Sequence, residues 1–304
     1  MLKKSVQLAI AVAFIGAAGS AAATEGSGSN FLNGIEQFAI AYTPPPGVYY
    51  LVQAVSYDAD SYRNDAGDKV PLPFKKKIQG VMPRLAWVTD TKVLGGHIVL
   101  QAALPYLSVS GTASAVTPIG VVTRTGSKSG IGDLYLDTAL SFSTSEEFHY
   151  GFGVTFTAPT GKYDRNDIAN PGRNYWSVHP KFAVSYVEPE GWNADFSAGC
   201  NINRRNHDTG YLSGRELHAD YAFGYGFLKD WVFGVGGFVY TQTTDDDLNG
   251  TTIANKRSRV NGIGPAIKYD NGYGLIVTAG YQKEFGIRNR FAADTLSLKV
   301  VLPF

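Results

Sequence analysis

The chain closes on Leu296-Ser297-Leu298-Lys299-Val300-Val301-Leu302-Pro303-Phe304, and this stretch limits what the whole can become. Leu296, Leu298, Val300, Leu302 and Phe304 are large and apolar, with Ser297, Lys299, Val301 and Pro303 between them. A period of two over about nine residues is a strand with one greasy and one wetter face. Tilted, that length spans a bilayer. A terminal Phe closing such a strand is the pattern of a bacterial outer-membrane barrel, although a soluble edge strand also ends this way.

The alternation recurs from Tyr49 onward. It predicts strands over 49–58, 78–90, 96–108, 132–143, 148–159, 175–187, 192–203, 215–227, 231–243, 259–269, 273–285 and 295–304. The fold class expected is therefore all-β: a transmembrane antiparallel up-and-down barrel of about 12 strands, of the bacterial outer-membrane type. The connections alternate in length. Short ones fall near Thr91-Lys92, Ser145-Glu146, Pro189-Glu190-Gly191, Lys229-Asp230 and Asn271-Gly272, the last a strong hairpin turn. Long ones cover 59–77, 109–131, 160–174, 204–214, 244–258 and 286–294. A soluble sandwich has no reason to sort its loops into two classes. Of the long loops, 109–131 is small, apolar and Gly-rich near Thr117–Gly120, and is expected to fold into the mouth or dip toward lipid. All four Trp residues, Trp87, Trp176, Trp192 and Trp231, fall near strand ends, as an aromatic girdle at the membrane interface requires.

If the large apolar set faces lipid, the other set faces the lumen. In one predicted strand Leu217, Ala219, Tyr221, Phe223, Tyr225 and Phe227 oppose Glu216, His218, Asp220, Ala222, Gly224 and Gly226. The pore-lining residues expected on this reading are Arg84, Gln101, Asp137, His179, Lys181, Asp195, His218, Asp220, Lys268, Gln282, Glu284 and Lys299. An Arg or Lys facing lipid at mid-depth costs about 2–4 kcal/mol, which is why they are placed inside. This set is about as basic as it is acidic. It could line a water-filled pore, or pair across the lumen and close it. Twelve strands make a narrow barrel, so any passage suits small solutes only.

The chain starts with Met1-Leu2-Lys3-Lys4, an apolar run from about Val6 to Ala18, and Ala21-Ala22-Ala23. This is a secretory signal, residues 1–23, cut after Ala23. The apolar run is too short to span well as an anchor. Residues 24–46 precede the barrel, which occupies 47–304. Phe31, Ile35 and Phe38 sit at i, i+4 and i+7, enough for a short amphipathic helix ended by Pro44-Pro45-Pro46-Gly47. We expect these residues to form a periplasmic lead-in packed against the rim; the other course open to them is to narrow the pore from inside.

Composition removes other classes. With 27 Lys+Arg against 26 Asp+Glu, nothing points to nucleic acid. The single Cys200 excludes an intramolecular disulfide. No later segment holds the roughly 18 apolar residues of a membrane helix, so a membrane protein here must be a barrel. His149, His179, His207 and His218 stand among many Ser and Asp, but no hydrolase spacing such as G-x-S-x-G is present, and no enzyme activity is expected. Asp58, Asp60, Asn64, Asp65 and Asp68 lack the Gly and terminal Glu of a calcium loop, and Asp245-Asp246-Asp247 reads as a solvated loop tip; no metal and no cofactor is expected. Lys75-Lys76-Lys77 reads either as a solvated face or as a site for lipopolysaccharide phosphates.

Several stretches carry a resemblance. They include Pro45-Pro46-Gly47-Val48-Tyr49, Gly67-Asp68-Lys69-Val70-Pro71-Leu72-Pro73-Phe74, Lys92-Val93-Leu94-Gly95-Gly96 and Gly130-Ile131-Gly132-Asp133-Leu134-Tyr135. Further ones are Ala158-Pro159-Thr160-Gly161-Lys162-Tyr163-Asp164, Gly172-Arg173-Asn174-Tyr175-Trp176-Ser177, Tyr240-Thr241-Gln242-Thr243-Thr244-Asp245-Asp246 and Tyr281-Gln282-Lys283-Glu284-Phe285-Gly286. In these the chain resembles the outer-membrane channels of the MetA-pathway of phenol degradation family. The resemblance implies a barrel of about twelve strands and a channel or uptake role; the family name points to phenol-like compounds. No catalytic motif is carried over.

The function expected is a bacterial outer-membrane channel for passive, porin-like uptake of small solutes, including aromatic-degradation substrates. The alternatives are a transporter of hydrophobic substrates that delivers them sideways into the membrane, a closed structural barrel, or a barrel enzyme. The partners expected are outer-membrane lipids and lipopolysaccharide, the barrel assembly machinery through the strand ending at Phe304, and a small-molecule solute, with no nucleic acid.

Overall fold

Alternation of large apolar and polar side chains, carried through the chain, closes the sheet on itself. The computed structural model describes residues 24–25, 28–30 and 33–304; the expected signal, residues 1–23, and Phe31 lie outside them. Among the described residues seventeen strands follow in order. The first nine are β1 (Gly47–Arg63), β2 (Lys75–Val93), β3 (Gly96–Ala103), β4 (Tyr106–Thr117), β5 (Gly120–Ile131), β6 (Leu134–Ser143), β7 (Phe148–Ala158), β8 (Ser177–Val187) and β9 (Trp192–Asn203). The rest are β10 (Tyr211–Leu212), β11 (Glu216–Leu228), β12 (Trp231–Gln242), β13 (Asp246–Leu248), β14 (Thr251–Ile253), β15 (Arg259–Asp270), β16 (Ile276–Arg288) and β17 (Arg290–Pro303).

Fourteen of these form one antiparallel sheet, and β1 pairs with both β17 and β2, so the sheet has no first or last strand. Two of the fourteen are continuations. β2 pairs with β3 at Arg84–Val88 and then with β4 at Lys75–Val81, so β4 prolongs β3 past a break at Leu104-Pro105. Likewise β5 prolongs β6 past Gly132-Asp133. Twelve staves remain, as the sequence predicted. A closed ring satisfies every ladder N–H and C=O internally, which hydrocarbon demands.

β11 shows the two faces most cleanly. Glu216, His218, Asp220, Ala222, Gly224 and Gly226 are buried inside, and Leu217, Phe223 and Phe227 are exposed outside. β17 repeats it, with Thr295, Ser297 and Lys299 inward and Leu296, Leu298 and Leu302 outward. The four Trp residues all lie on the outer surface, between 38% and 54% exposed.

Several boundaries differ from the sequence reading. Three of the long connections, those expected over 59–77, 109–131 and 286–294, are shorter than expected because the strands run on. Residues 109–131 form most of the hairpin of β4 and β5 rather than a loop entering the mouth, in register from Tyr106↔Ile131 to Thr117↔Gly120. Cross-strand hydroxyl pairs, Ser114 with Thr123 at 2.9 Å and Thr112 with Thr125 at 3.1 Å, support it. The connection expected over 286–294 contracts to Asn289, at φ 50°. Two-residue positive-φ turns sit at Leu94-Gly95 (φ 53° and 90°) and at Asn249-Gly250 (φ 53° and 88°). Asn271-Gly272 instead opens a longer loop, in which the Asn271 side-chain oxygen accepts the N–H groups of Tyr273 and Leu275.

Candidate functional site

The segment before β1 runs inside the barrel. An irregular backbone has no sheet to satisfy it, so its polar groups must find side chains. The lumenal residues of the wall supply them. Gly34 N–H donates to Asp220 Oδ1 at 2.5 Å, Ile40 N–H to Asp195 Oδ1 at 2.9 Å, and Ala41 N–H to Ser185 Oγ at 2.8 Å. Toward the long-loop end, Tyr135 OH donates to the Asn30 carbonyl at 2.6 Å, and Asn201 Nδ2 to Ser29 Oγ at 2.9 Å. Toward the short-turn end, Thr43 pairs with Ser141, and the Tyr42 ring meets His149 edge-on at 4.9 Å.

Side chains of the segment add two further anchors. Phe38, 0% exposed, packs with Ala222, Val232 and Ala266. Glu36 faces Lys299 Nζ at 3.3 Å and Arg84 Nη2 at 3.4 Å, and accepts from Gln53 Nε2 at 3.0 Å. Gly34 must be glycine. Its φ is 77°, and a Cβ there would lie 2.6 Å from the Phe238 ring and 1.9 Å from Gln282 Oε1.

This corrects two expectations. The described residues between 24 and 46 take the course through the lumen rather than that of a lead-in packed on the rim. The described part of the segment holds turns and bends rather than an amphipathic helix. Positive φ at Gly34 and Ala39 breaks the helical course, and the wall's acceptors take N–H groups a helix would keep for itself.

All twelve residues expected on the pore wall lie on strands whose inward sets include them, but they do different things. Asp195 and Asp220 hold the segment's backbone, and Lys299 holds Glu36. Arg84, Gln101, Asp137 and Lys181 form a polar chain across four staves: Arg84 Nη1 to Gln101 Oε1 at 3.5 Å, Gln101 Nε2 to Asp137 Oδ1 at 3.3 Å, and Lys181 Nζ to Asp137 Oδ2 at 2.5 Å. His179 and His218 meet at 2.6 Å between their Nε2 atoms, so one donates to the other. Lys268 donates to Asn193 Oδ1 at 2.9 Å, Glu284 accepts the Ala293 N–H at 2.9 Å, and Gln282 is buried against Gly34.

Beside the segment three cavities follow one another. One of about 930 Å³ opens at the short-turn end, lined by Tyr42, Thr43, Leu51, Arg84, Asp137, Lys181, Lys268 and Lys299 among others. One of about 310 Å³ lies toward the long-loop end, walled by Tyr62, Phe74, Ile78, Leu107, Val109 and Phe291 together with Lys76, Arg124 and Arg173. Between them a constriction of about 150 Å³ shares Glu36, Arg84, Asp137 and Lys181 with the first and Asn30, Met82 and Tyr135 with the second. His179 and His218 line this constriction.

The sequence reading placed Glu216 on an inward face without counting it among the pore-wall residues, gave Phe38 only a place on a helix, and missed Glu36, Gln53 and the buried role of Asp246. Gln53 occupies an inward position of its strand, as Glu216 does, so alternation alone could have found it. Glu36 and Phe38 carried no such signal. Asp246, expected in a solvated tip, is fully buried, while its neighbours Asp245 and Asp247 pair with Arg257 at 2.9 Å and Arg205 at 2.6 Å. The Lys75–Lys77 run splits across the two faces: Lys76 turns in over the Phe291 ring at 5.5 Å, and Lys77 lies outside near Asp58 at 3.8 Å. Among the described residues no group of three or more His, Cys, Asp or Glu could hold a metal ion.

No protein of curated function matches the sequence. Among solved structures, the COG4313 outer membrane channel from Pseudomonas putida F1 superposes with a TM-score of 0.74 at 22% identity, covering 87% of this chain and 97% of that one. The KdgM porin (TM-score 0.41, 9% identity, 84% and 99% covered) and a Pseudomonas aeruginosa FadL homologue (0.41, 12%, 95% and 98%) are more distant barrels. The likeness to the first shows the fold: an outer-membrane type barrel. The family match covers residues 59–300, nearly the whole barrel, and the chain accordingly belongs to the MetA-pathway of phenol degradation family.

Proposed function

We propose that this protein is an outer-membrane channel in which small solutes pass beside the inserted N-terminal segment, with the substrates of aromatic degradation as the cargo the family description favours. The observation that carries this reading is the succession of cavities. The two larger ones share lining residues with one narrow constriction, which supports a single route along one side of the segment. At the constriction Arg84 and Lys181 are paired with Glu36 and Asp137. The balanced charge there favours small polar or weakly charged solutes over strong selection for one ion sign. The route is lined, not catalytic, so the reading involves no reaction.

Purified full-length protein in planar bilayers tests this. We expect small, steady single-channel currents, and a several-fold larger conductance when residues 28–41 are deleted. Absence of current and of solute flux in both proteins would overturn the reading.

A second reading has one observation behind it. The cavity toward the long-loop end is walled largely by aromatic and aliphatic side chains, which suits apolar solutes delivered sideways into the membrane. Vesicle swelling with charged and with apolar solutes of equal size separates the two readings.

A further inference from the structure

We propose that removal of the leader after Ala23 creates a buried ion pair that only the processed chain can form: the new α-ammonium of Thr24 docks on Asp246 and fastens the inserted segment at the long-loop end.

Asp246 lies on β13, in the small three-stranded sheet of β10, β13 and β14. It is fully buried, and Thr24 is 2% exposed. Its Oδ1 accepts from Gly214 N–H at 2.7 Å and from Gln242 Nε2 at 2.6 Å. Its Oδ2 accepts from Tyr211 OH and from the Thr24 nitrogen, the latter at 2.8 Å. Among the described residues no Lys, Arg or His forms an ion pair with it, whereas Asp245 and Asp247 beside it each hold an arginine. A buried carboxylate with neutral donors alone is costly, and a cation is the partner that offsets the cost. Burial accordingly pushes the Asp246 carboxyl up from its usual range.

The atom facing that carboxylate is the backbone nitrogen of the residue directly after Ala21-Ala22-Ala23, the cut site read from the sequence. In the uncut chain this nitrogen is a neutral amide. Hydrolysis of the Ala23–Thr24 bond by a signal peptidase adds one water. The hydroxyl goes to the Ala23 carbonyl carbon, which leaves as a carboxylate, and protons from that water and from solvent turn the Thr24 nitrogen into an ammonium. At 2.8 Å this group makes a charge-assisted bond where an amide made a neutral one. Tyr211, Tyr62, Tyr163 and Glu25 are the other titratable groups around this point, with Arg173 reaching the Glu25 carbonyl at 3.4 Å. Segment locking rests on the channel reading above; the state of the amine does not.

Mature protein purified from the outer membrane tests the pair. N-terminal sequencing should begin at Thr24, and any other start overturns the proposal. A free α-amine titrates near ~7.7–8.0. In the folded protein we expect acylation of the Thr24 amine by an amine-reactive reagent at pH 8 to be at least about tenfold slower than in Asp246→Asn. A chain with one Gly inserted between Ala23 and Thr24 keeps Asp246 but moves the ammonium, and should regain the fast rate even if Asp246→Asn fails to fold. Equal rates in the wild type and the insertion variant would overturn the ion pair. Conductance measured on the same preparations keeps the two readings apart, since a protein with a protected amine and no current refutes the channel alone.

Discussion

Lys299 Nζ, on the last strand, lies 3.3 Å from Glu36 Oε2, on the segment that enters the barrel before the first. The same carboxylate meets Arg84 on β2 through its other oxygen, so one acid ties the segment to the two strands that flank β1. Removing one partner of a fully buried pair leaves an uncompensated charge, at a cost of about 3–5 kcal/mol; with the Glu36 side chain 17% exposed, the cost here falls below that. Glu36→Gln should loosen the segment and leave the barrel folded. Single-channel records should show larger or flickering currents, and unchanged wild-type currents would refute the anchoring role.

Phe38 supplies the apolar counterpart. Truncating a buried Phe costs about 3–5 kcal/mol. Phe38→Ala should expose the segment to added protease without moving the thermal unfolding of the wall, measured by the loss of β-sheet circular dichroism.

On the outer surface the sign of a substitution depends on the face. Leu298, 42% exposed, points to lipid midway along β17. Leu298→Lys should cost about 2–4 kcal/mol in folding into lipid vesicles. The native Lys299, one residue on and facing inward, shows that the neighbouring position takes the same side chain.

Glu25 gives a dependence on pH. It is held by Asn206 Nδ2 at 2.9 Å and Thr209 Oγ1 at 2.7 Å, and burial pushes its carboxyl up from its usual range despite these bonds and Arg173. A carboxyl raised in the docked state binds its proton more tightly docked than released. Its contribution to docking is therefore present at low pH and lost as pH rises through the docked value. Protease cleavage of the segment should accelerate as pH is raised across that range. Glu25→Gln should flatten this rise, and an unaltered profile in the variant would remove Glu25 from the account.

How much of this was legible in advance depends on how far apart the interacting residues lie in the chain. The inward set of β11, Glu216, His218 and Asp220, follows from alternation, because a strand fixes the side of each residue by parity alone. The extent of β4 and β5 was missed because Ser, Thr and Gly at every second position leave a weak alternation outside hydrocarbon. β4 gains a second partner in β2 only over Lys75–Val81, a pairing far apart in the chain. The course of the inserted segment had no local signal either. Its backbone N–H groups bond to partners more than a hundred positions away, as Ile40 does to Asp195 and Gly34 to Asp220.

By itself, the sequence determined the wall: the number of staves, which face meets lipid, and which polar side chains point inward. It could do so because hydrocarbon tolerates only closed hydrogen bonding and apolar outward faces, and both conditions are written residue by residue. What fills the lumen was decided only in three dimensions. From residue 24 to 44 there are about 20 residues, and at ~3.3–3.6 Å per residue they exceed what is needed to cross ~30 Å of hydrocarbon. Length therefore allowed either course, and the acceptors Asp195, Asp220 and Ser185, assembled from three separate strands, selected the one through the interior.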